Sequence, residues 1–364
     1  MSFKMPVYTA PDFSQQAYKD MPNARWIPAP ANGVAPDDYH ATTIFPEYFK
    51  INGSWQLARE SRMDCVAVLS RGVIEVKEFR RLKKGDLVAV GRSEDGSNGI
   101  YVHATAFTQP ESQGEESFAF RQGRSRETAY AMDYDSIYDL LRYEKEHGGH
   151  ITWVLGPACC FDWDARHAFA KLVHGGYVQA VLAGNALATH DLEAGYRSTA
   201  LGQDIYTQIS QPGGHYNHID TINQVRKAGS IEKFVAEQNI QDGIMAACVQ
   251  CKVPYVVTGS IRDDGPLPEV YADVYEGQNA MRDQVKKSTT VICLATTLHS
   301  IATGNMTPSY RVLADGTVRP VYFYSVDVSE FAVNKLRDRG SLAVKTIVTN
   351  VQDFIVNVQR GLSL

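Results

Sequence analysis

From residue 150 onward, short apolar runs alternate with amphipathic stretches, and each run breaks off in small or polar residues. The run 151–155 ends in Gly156-Pro157-Ala158, 178–183 in Gly184-Asn185-Ala186, and 255–258 in Gly259-Ser260. The run 291–294 gives way to Ala295-Thr296-Thr297-Leu298-His299, and 321–326 ends in Asp327. Helical periodicity lies between them, at 165–173 and 218–238, and ahead of them at 127–147 with Gly148-Gly149 behind it. Runs this short and this apolar suit strands covered on both faces, so the alternation predicts a doubly wound α/β domain over 126–364. Ligands in such sheets bind at the carboxyl ends of the strands, where loops present backbone N–H groups. All the small and polar tips named above, and Asn350, would converge there. A carboxylate just after a strand, such as Asp327, can accept both hydroxyls of a nucleotide ribose. Together the tips suggest a dinucleotide site, although no G-x-G-x-x-G fingerprint is present.

Ahead of this domain the pattern is different. Over 37–125 short β-type runs at 65–69, 73–77 and 87–91 are separated by Gly72 and by the Lys84-Gly85-Asp86 turn, which implies a small β-sandwich or barrel. Residues 1–36 carry six prolines and little periodicity. They read as an irregular arm that wraps the body or a neighbouring subunit of a homo-oligomer, with disorder as the other reading.

With 364 residues the chain can bury a sizeable core. A net charge of −5 gives no electrostatic case for nucleic acid. No apolar run approaches the roughly 18 residues that span a bilayer. The first residues lack a signal-peptide core, and six cysteines make no disulfide scaffold, so a cytoplasmic location is expected.

Four constellations carry candidate chemistry. Residues 185–193 place His190, Asp191 and Glu193 within reach of a strand end, as proton-transfer groups or as a helix terminus. Gly213-Gly214-His215-Tyr216-Asn217-His218 reads as a Gly-led loop over substrate rather than a metal site, because no third ligand accompanies its His-x-x-His. In 259–268, Arg262 suits a bidentate grip on a carboxylate, and Asp263 and Asp264 a ribose or a cation. Cys248-x-x-Cys251 lacks the second pair that zinc requires, so these thiols read as structural and no metal is expected.

At these residues the chain resembles the LOR/SDH conserved-region family, which includes NAD-dependent ornithine cyclodeaminases of archaea and the C-terminal half of cyanobacterial arginine dihydrolase/ornithine cyclodeaminase fusions. The resemblance is carried by LAGNALATHDLE at 182–193, GSIRDDGPLPEVYADV at 259–274, LATTLHSIATGNMTPSY at 294–310, VDVSEFAVNKLRDRGS at 326–341 and IVTNVQDF at 347–354. Met63-Asp64-Cys65, KKGDLVAVG at 83–91 and Gly156-Pro157-Ala158 extend it over about 40–358. It implies a deoxyhypusine-synthase-like NAD-binding domain, which would account for the missing glycine fingerprint. It further implies NAD contacts at Asn185, Ala186, Asp264, Thr296, Thr297, Leu298, His299, Asp327, Asn350 and Val351. The implied activity converts L-ornithine to L-proline and ammonia by internal hydride transfer. Arg262 is expected on the substrate carboxylate, with Asp191 and either His190 or His218 moving protons. The chain departs from the family in lacking the guanidine-cleaving module, so free arginine is not the expected substrate. It departs also in its N-terminal arm and in an insertion at 312–321 that alters a rim or a subunit contact. A sister activity on another amino acid such as lysine, an amino-acid dehydrogenase, and a non-catalytic NAD-binding protein are the competing readings.

Overall fold

The computed structural model describes residues 3–108, 131–261, 263, 265–329 and 342–364. Six strands form one parallel sheet: β1 (Ile151–Leu155), β2 (Ala180–Gly184), β3 (Tyr255–Thr258), β4 (Thr290–Leu294), β5 (Tyr322–Asp327) and β6 (Ala343–Val348). Their spatial order is β3-β2-β1-β4-β5-β6, the doubly wound order in which the chain reverses direction between β1 and β4.

The strands carry apolar residues on both faces because both faces are covered. Trp153 and Leu155 of β1 and Ile292 of β4 point into one core with α1 (Ala131–Glu146), α2 (Trp163–His174) and, at the end of the chain, Phe354 and Val358. Val154, Cys293 and Phe323 point the other way, against Met281, Val285 and Met306. This period-2 split explains why the sequence shows unbroken apolar runs where a half-buried strand would alternate. Behind β2 lie α3 (Asn185–Arg197), α4 (His215–Ala228), α5 (Ile231–Glu237) and α6 (Ile244–Gln250). The single helix expected over 218–238 is two helices. Gly229 ends the first in the left-handed region, φ 87°, and the Ser230 side chain caps the second by accepting from the Lys233 N–H. Further helices are α7 (Val274–Val285), α8 (Thr297–Met306) and α9 (Val351–Gly361).

The β-rich region is a sandwich. One sheet pairs Arg25–Pro28, Leu87–Val90, Val66–Ser70 and Val73–Lys77, and the other pairs Ser54–Leu57, Glu47–Ile51 and Ile100–Val102. Phe49 and Ile100 from the second sheet meet Ala67, Ile74 and Ala89 of the first in a dry core. The N-terminal segment expected as an irregular arm is part of this sandwich. Arg25–Pro28 is an edge strand in register with Leu87–Val90, and Val7–Tyr8 pairs with Phe107–Thr108. Pro28 at the end of an edge strand needs no ladder N–H, so the prolines that hid this strand are compatible with it. The short helix Gln16–Asp20 is pinned by Lys50, buried to 4% exposure, whose ammonium donates to the carbonyls of Tyr18, Lys19 and Met21.

The segment expected as an insertion at 312–321 belongs to a hairpin at the seam between the two regions. Tyr310–Val312 and Val318–Pro320 form a hairpin that also pairs with Glu60–Ser61 of the sandwich. Tyr310 donates its hydroxyl to Ala58 O at 2.8 Å. Arg319 grips Glu144 of α1 with both terminal nitrogens, at 3.0 and 2.6 Å, in a fully buried bidentate pair.

Candidate active site

At the switch point, the loops after β1, β2, β3 and β4 enclose a crevice of about 470 Å³. Its walls come from Gly156 and Pro157, from Gly184 to Leu187, from Thr258, Ser260, Ile261 and Asp263, and from Thr296 to His299. The backbones approach closely here. The Gly156 N–H donates to Leu294 O at 2.8 Å, and a Cβ on Gly156 would stand 1.9 Å from Ala295 O, so glycine is the residue that fits. Ala295 itself turns the chain out of β4 with φ 50°, a left-handed value uncommon outside glycine. Gly156 is thus required by the close packing of the β1 and β4 strand ends against each other.

Two helices begin at this crevice. α3 starts after Gly184 and α8 after Thr296, and neither has a side chain capping its first turn. Their leading N–H groups and positive dipole ends suit an anionic group such as a diphosphate. Across the crevice, the His299 ring reaches to 3.4 Å from the Cβ position of Gly184. Its Nδ1 is buried with no hydrogen-bond partner. Burial pushes the His299 pKa down, against a smaller upward pull from Asp263, so the ring is neutral at pH 7.

The structure therefore brings Asn185, Ala186, Thr296, Thr297, Leu298 and His299 together in one wall system. The Asn185 side chain accepts from the Leu267 N–H at 3.0 Å, which ties the loop after β3 to the start of α3. Arg262 and Asp264 lie outside the described residues. Asp327 stands at the end of β5 on the same sheet edge, its Oδ1 accepting from the Ser329 N–H at 2.9 Å. Asn350 caps α9 by accepting from the N–H groups of Gln352 and Asp353, and Val351 is core. None of Asp327, Asn350 and Val351 lines the crevice; α9 is linked to the β1 turn through Gln352, which donates to Ala158 O at 3.0 Å.

The residues of α3 split into two groups. His190 lies one turn beyond Ala186 and Leu187 on the same helical face. Its Nδ1 is 3.0 Å from Glu193 Oε2, and its ring centroid is 5.9 Å from that of His218. Glu193 is wholly buried and also accepts from Thr199 Oγ1 at 2.8 Å and from the N–H groups of Leu201 and Gly202. Burial pushes the Glu193 pKa up, but the donations from His190, Gly202 and Thr199 outweigh it and hold the carboxyl below its ordinary value. It stays ionised and fixes the His190 ring. Asn217 extends the chain by donating to Thr199 Oγ1 at 3.0 Å.

Asp191 points away from this cluster. Its Oδ1 accepts from Arg166 Nε at 2.7 Å and the Ile244 N–H at 3.0 Å, and its Oδ2 from the Met245 N–H at 2.8 Å. Arg166 also reaches Asp242 at 3.0 Å, and Gly243, φ 107°, leaves room for the guanidinium. Asp191 is thus engaged in holding α2, α3 and α6 together, a placement that its neighbour in sequence, one-quarter turn around the helix, does not share. Sequence reasoning singled out the segment but not Glu193 as the partner of His190. The available signal was the i, i+3 spacing of His190 and Glu193. Cys248 is buried, its thiol pKa raised by burial, and Cys251 is exposed with its Sγ 3.1 Å from His174 Nδ1.

Residues 135–358 match the family described as arginine dihydrolase ArgZ-like, C-terminal, Rossmann fold. The ornithine cyclodeaminase of Methanocaldococcus jannaschii is 38% identical over 90% of this chain and 75% of its own length. That of Methanothermobacter thermautotrophicus is 39% identical, over 90% and 76%. The bifunctional arginine dihydrolase/ornithine cyclodeaminase AgrE of Nostoc is 33% identical, and the match takes up 46% of its length. Among solved structures, an LOR/SDH protein from Methanococcus maripaludis superposes with a TM-score of 0.83 at 36% identity, covering 94% of this chain and 99% of that one. AgrE in a ternary complex with ornithine and NAD⁺ superposes with a TM-score of 0.59 at 32% identity, covering 94% and 46%. With a switch-point crevice on a 3-2-1-4-5-6 parallel sheet and relatives of this identity over nine-tenths of its length, the chain belongs to the ArgZ-like C-terminal Rossmann family of enzymes, together with the archaeal ornithine cyclodeaminases.

Proposed function

We propose that this protein is an NAD-dependent ornithine cyclodeaminase that converts L-ornithine to L-proline and ammonia. The observation that carries the reading is the His190–Glu193 pair one helical turn beyond a switch-point crevice, in a chain whose relatives bear that name.

The crevice residues fit the cofactor. The first-turn N–H groups of α3 and α8 would receive the pyrophosphate, and Asp327, at the end of β5 on the same sheet edge, would take the ribose hydroxyls. NAD⁺, when bound, would supply the hydride acceptor at the amino acid's Cα and the hydride donor after ring closure, so net redox would be zero. This chain's residues do the rest. Arg262 holds the substrate carboxylate through its planar fork. Glu193 fixes the Nδ1–H tautomer of His190, leaving Nε2 to accept a proton from the δ-ammonium and pass one to the departing α-amine. His218 faces His190 and shares this proton traffic. Holding the δ-amine beside the α-carbon supplies proximity worth several kcal/mol. Asp191 is assigned to the scaffold. The reaction needs no metal, and the small amino acid is the only substrate beyond the bound cofactor.

Ornithine deuterated at Cα should give proline that keeps the label, with ammonia in equal amount and no NADH accumulating. Label lost to water excludes the shuttle. Accumulating NADH means an amino-acid dehydrogenase, and turnover of lysine in preference to ornithine means a sister cyclodeaminase. Separately, Asp327→Ala should lower NAD affinity at least tenfold with the thermal midpoint kept, and NADP should bind the parent poorly because its 2′-phosphate would meet this carboxylate. Unchanged NAD content in the purified variant removes Asp327 from the ribose site.

A further inference from the structure

A second cavity, of about 370 Å³, lies between the sandwich and the far end of α8. Its walls include Arg62, Cys65, Glu78, Arg282 and the helix end Gly304 to Met306. α8 has ten residues and opens onto the crevice at Thr297, so the two cavities stand roughly 15 Å apart along its axis.

Two buried guanidinium groups in the cavity wall converge on a single carboxylate. Arg62 and Arg282 have side chains 2% and 1% exposed, and both are directed at one carboxylate, Glu78. Arg62 Nη2 donates to Glu78 Oε1 at 2.8 Å, and Arg282 pairs with both Glu78 oxygens. This leaves Arg62 Nε and Nη1 and Arg282 Nε buried without a hydrogen-bond partner. Glu60 lies 3.5 Å from Arg62 Nη1 and is shared with Lys286 at 3.8 Å. Two guanidinium groups and two carboxylates, Glu78 and Asp64, line the cavity, and Glu60 and Asp283 act on the guanidinium groups from outside it. Burial, then the neighbouring Arg62, pushes the Arg282 pKa down to about 10. Buried guanidinium N–H groups without acceptors are expensive, and an anion that accepts from them relieves both the hydrogen-bond deficit and the repulsion. Asp64 and the C-terminal turn of α8, Gly304 to Met306, also line the cavity, and a carboxylate beside a helix C-terminus suits an ammonium group.

We propose that this cavity binds a small α-amino acid as its zwitterion, with the carboxylate on Arg62 and Arg282 and the ammonium at Asp64 and the C-terminal end of α8. It is a second amino-acid site, separate from the crevice in which substrate is turned over. Because α8 runs from one cavity to the other, occupancy here acts on the helix whose first turn forms the crevice wall.

The test is calorimetric titration of the full chain with L-alanine, L-proline, L-arginine, sodium acetate and inorganic phosphate. At least one amino acid should bind saturably, and at least tenfold more tightly than acetate or phosphate. Met63→Glu adds a carboxylate at the exposed rim without touching the buried pair, and Arg62→Gln removes a guanidinium. Both should weaken that binding at least tenfold, while Met63→Glu keeps bound NAD and turnover in the absence of added effector. No saturable amino-acid binding, or binding indifferent to Met63→Glu, overturns the proposal. Equal binding of acetate or phosphate replaces it with a simple anion site. Amino-acid binding here in a protein that fails to turn over ornithine would overturn the function proposed above and leave this site standing.

Discussion

Replacing Asp191 by Asn should cost about 3–5 kcal/mol of folding stability, the range for breaking one side of a buried ion pair. Arg166 is 1% exposed, and Asp191 gives it the carboxylate on which the N–H groups of Ile244 and Met245 also converge. An amide at this position turns one acceptor into a donor aimed at a guanidinium or a backbone N–H. The remaining partner, Asp242, is 39% exposed and compensates little. Urea unfolding monitored by circular dichroism gives the result directly: the midpoint should fall sharply, with turnover per folded molecule largely kept. The opposite outcome, a normal midpoint with turnover abolished, would return Asp191 to the proton-transfer role that its sequence neighbourhood suggested.

His190→Gln should reverse that pattern, lowering kcat about 10²- to 10⁴-fold, as expected for loss of a positioned general acid–base, with the unfolding midpoint and bound NAD nearly unchanged. His190 is 8% exposed and its ring is locked by a carboxylate, so its replacement removes chemistry more than packing. Glu193→Gln tests the mechanism of that locking. The amide can present N–H where His190 needs an acceptor, which selects the wrong tautomer. It should therefore lower kcat with little change in KM. A kcat unaffected by both substitutions would move the proton chemistry to another side chain.

The two predictions separate residues that the sequence places side by side. Their difference is one of helical phase. Successive residues of α3 are about 100° apart around the axis, so His190 continues the crevice face while Asp191 turns to α2 and α6. Single-chain reading sees adjacency, and only the helix axis relative to its neighbours tells which residue faces which way.

Much of the parallel-sheet half was legible without coordinates. The runs at 151–155, 178–183, 255–258, 291–294 and 321–326 each correspond to a strand, because burial on both faces leaves no other composition available to them. The crevice tips were legible for the same reason, since strand ends in such a sheet must line up on one edge. The long motifs carried the family.

The tertiary structure decided the rest, and in each case the deciding contact is distant in sequence. Arg25–Pro28 becomes a strand through Leu87–Val90, and the 310–320 hairpin becomes a seam through Glu60–Ser61 and Glu144. Glu78 gathers Arg62 and Arg282 across roughly two hundred residues of chain, a juxtaposition with no local periodicity to announce it. Local pattern determined which segments are strands and helices, because hydrophobic periodicity is written within a few residues. Which polar groups meet, and which buried cations are left short of a partner, depends on chain reversals that only the packed fold supplies.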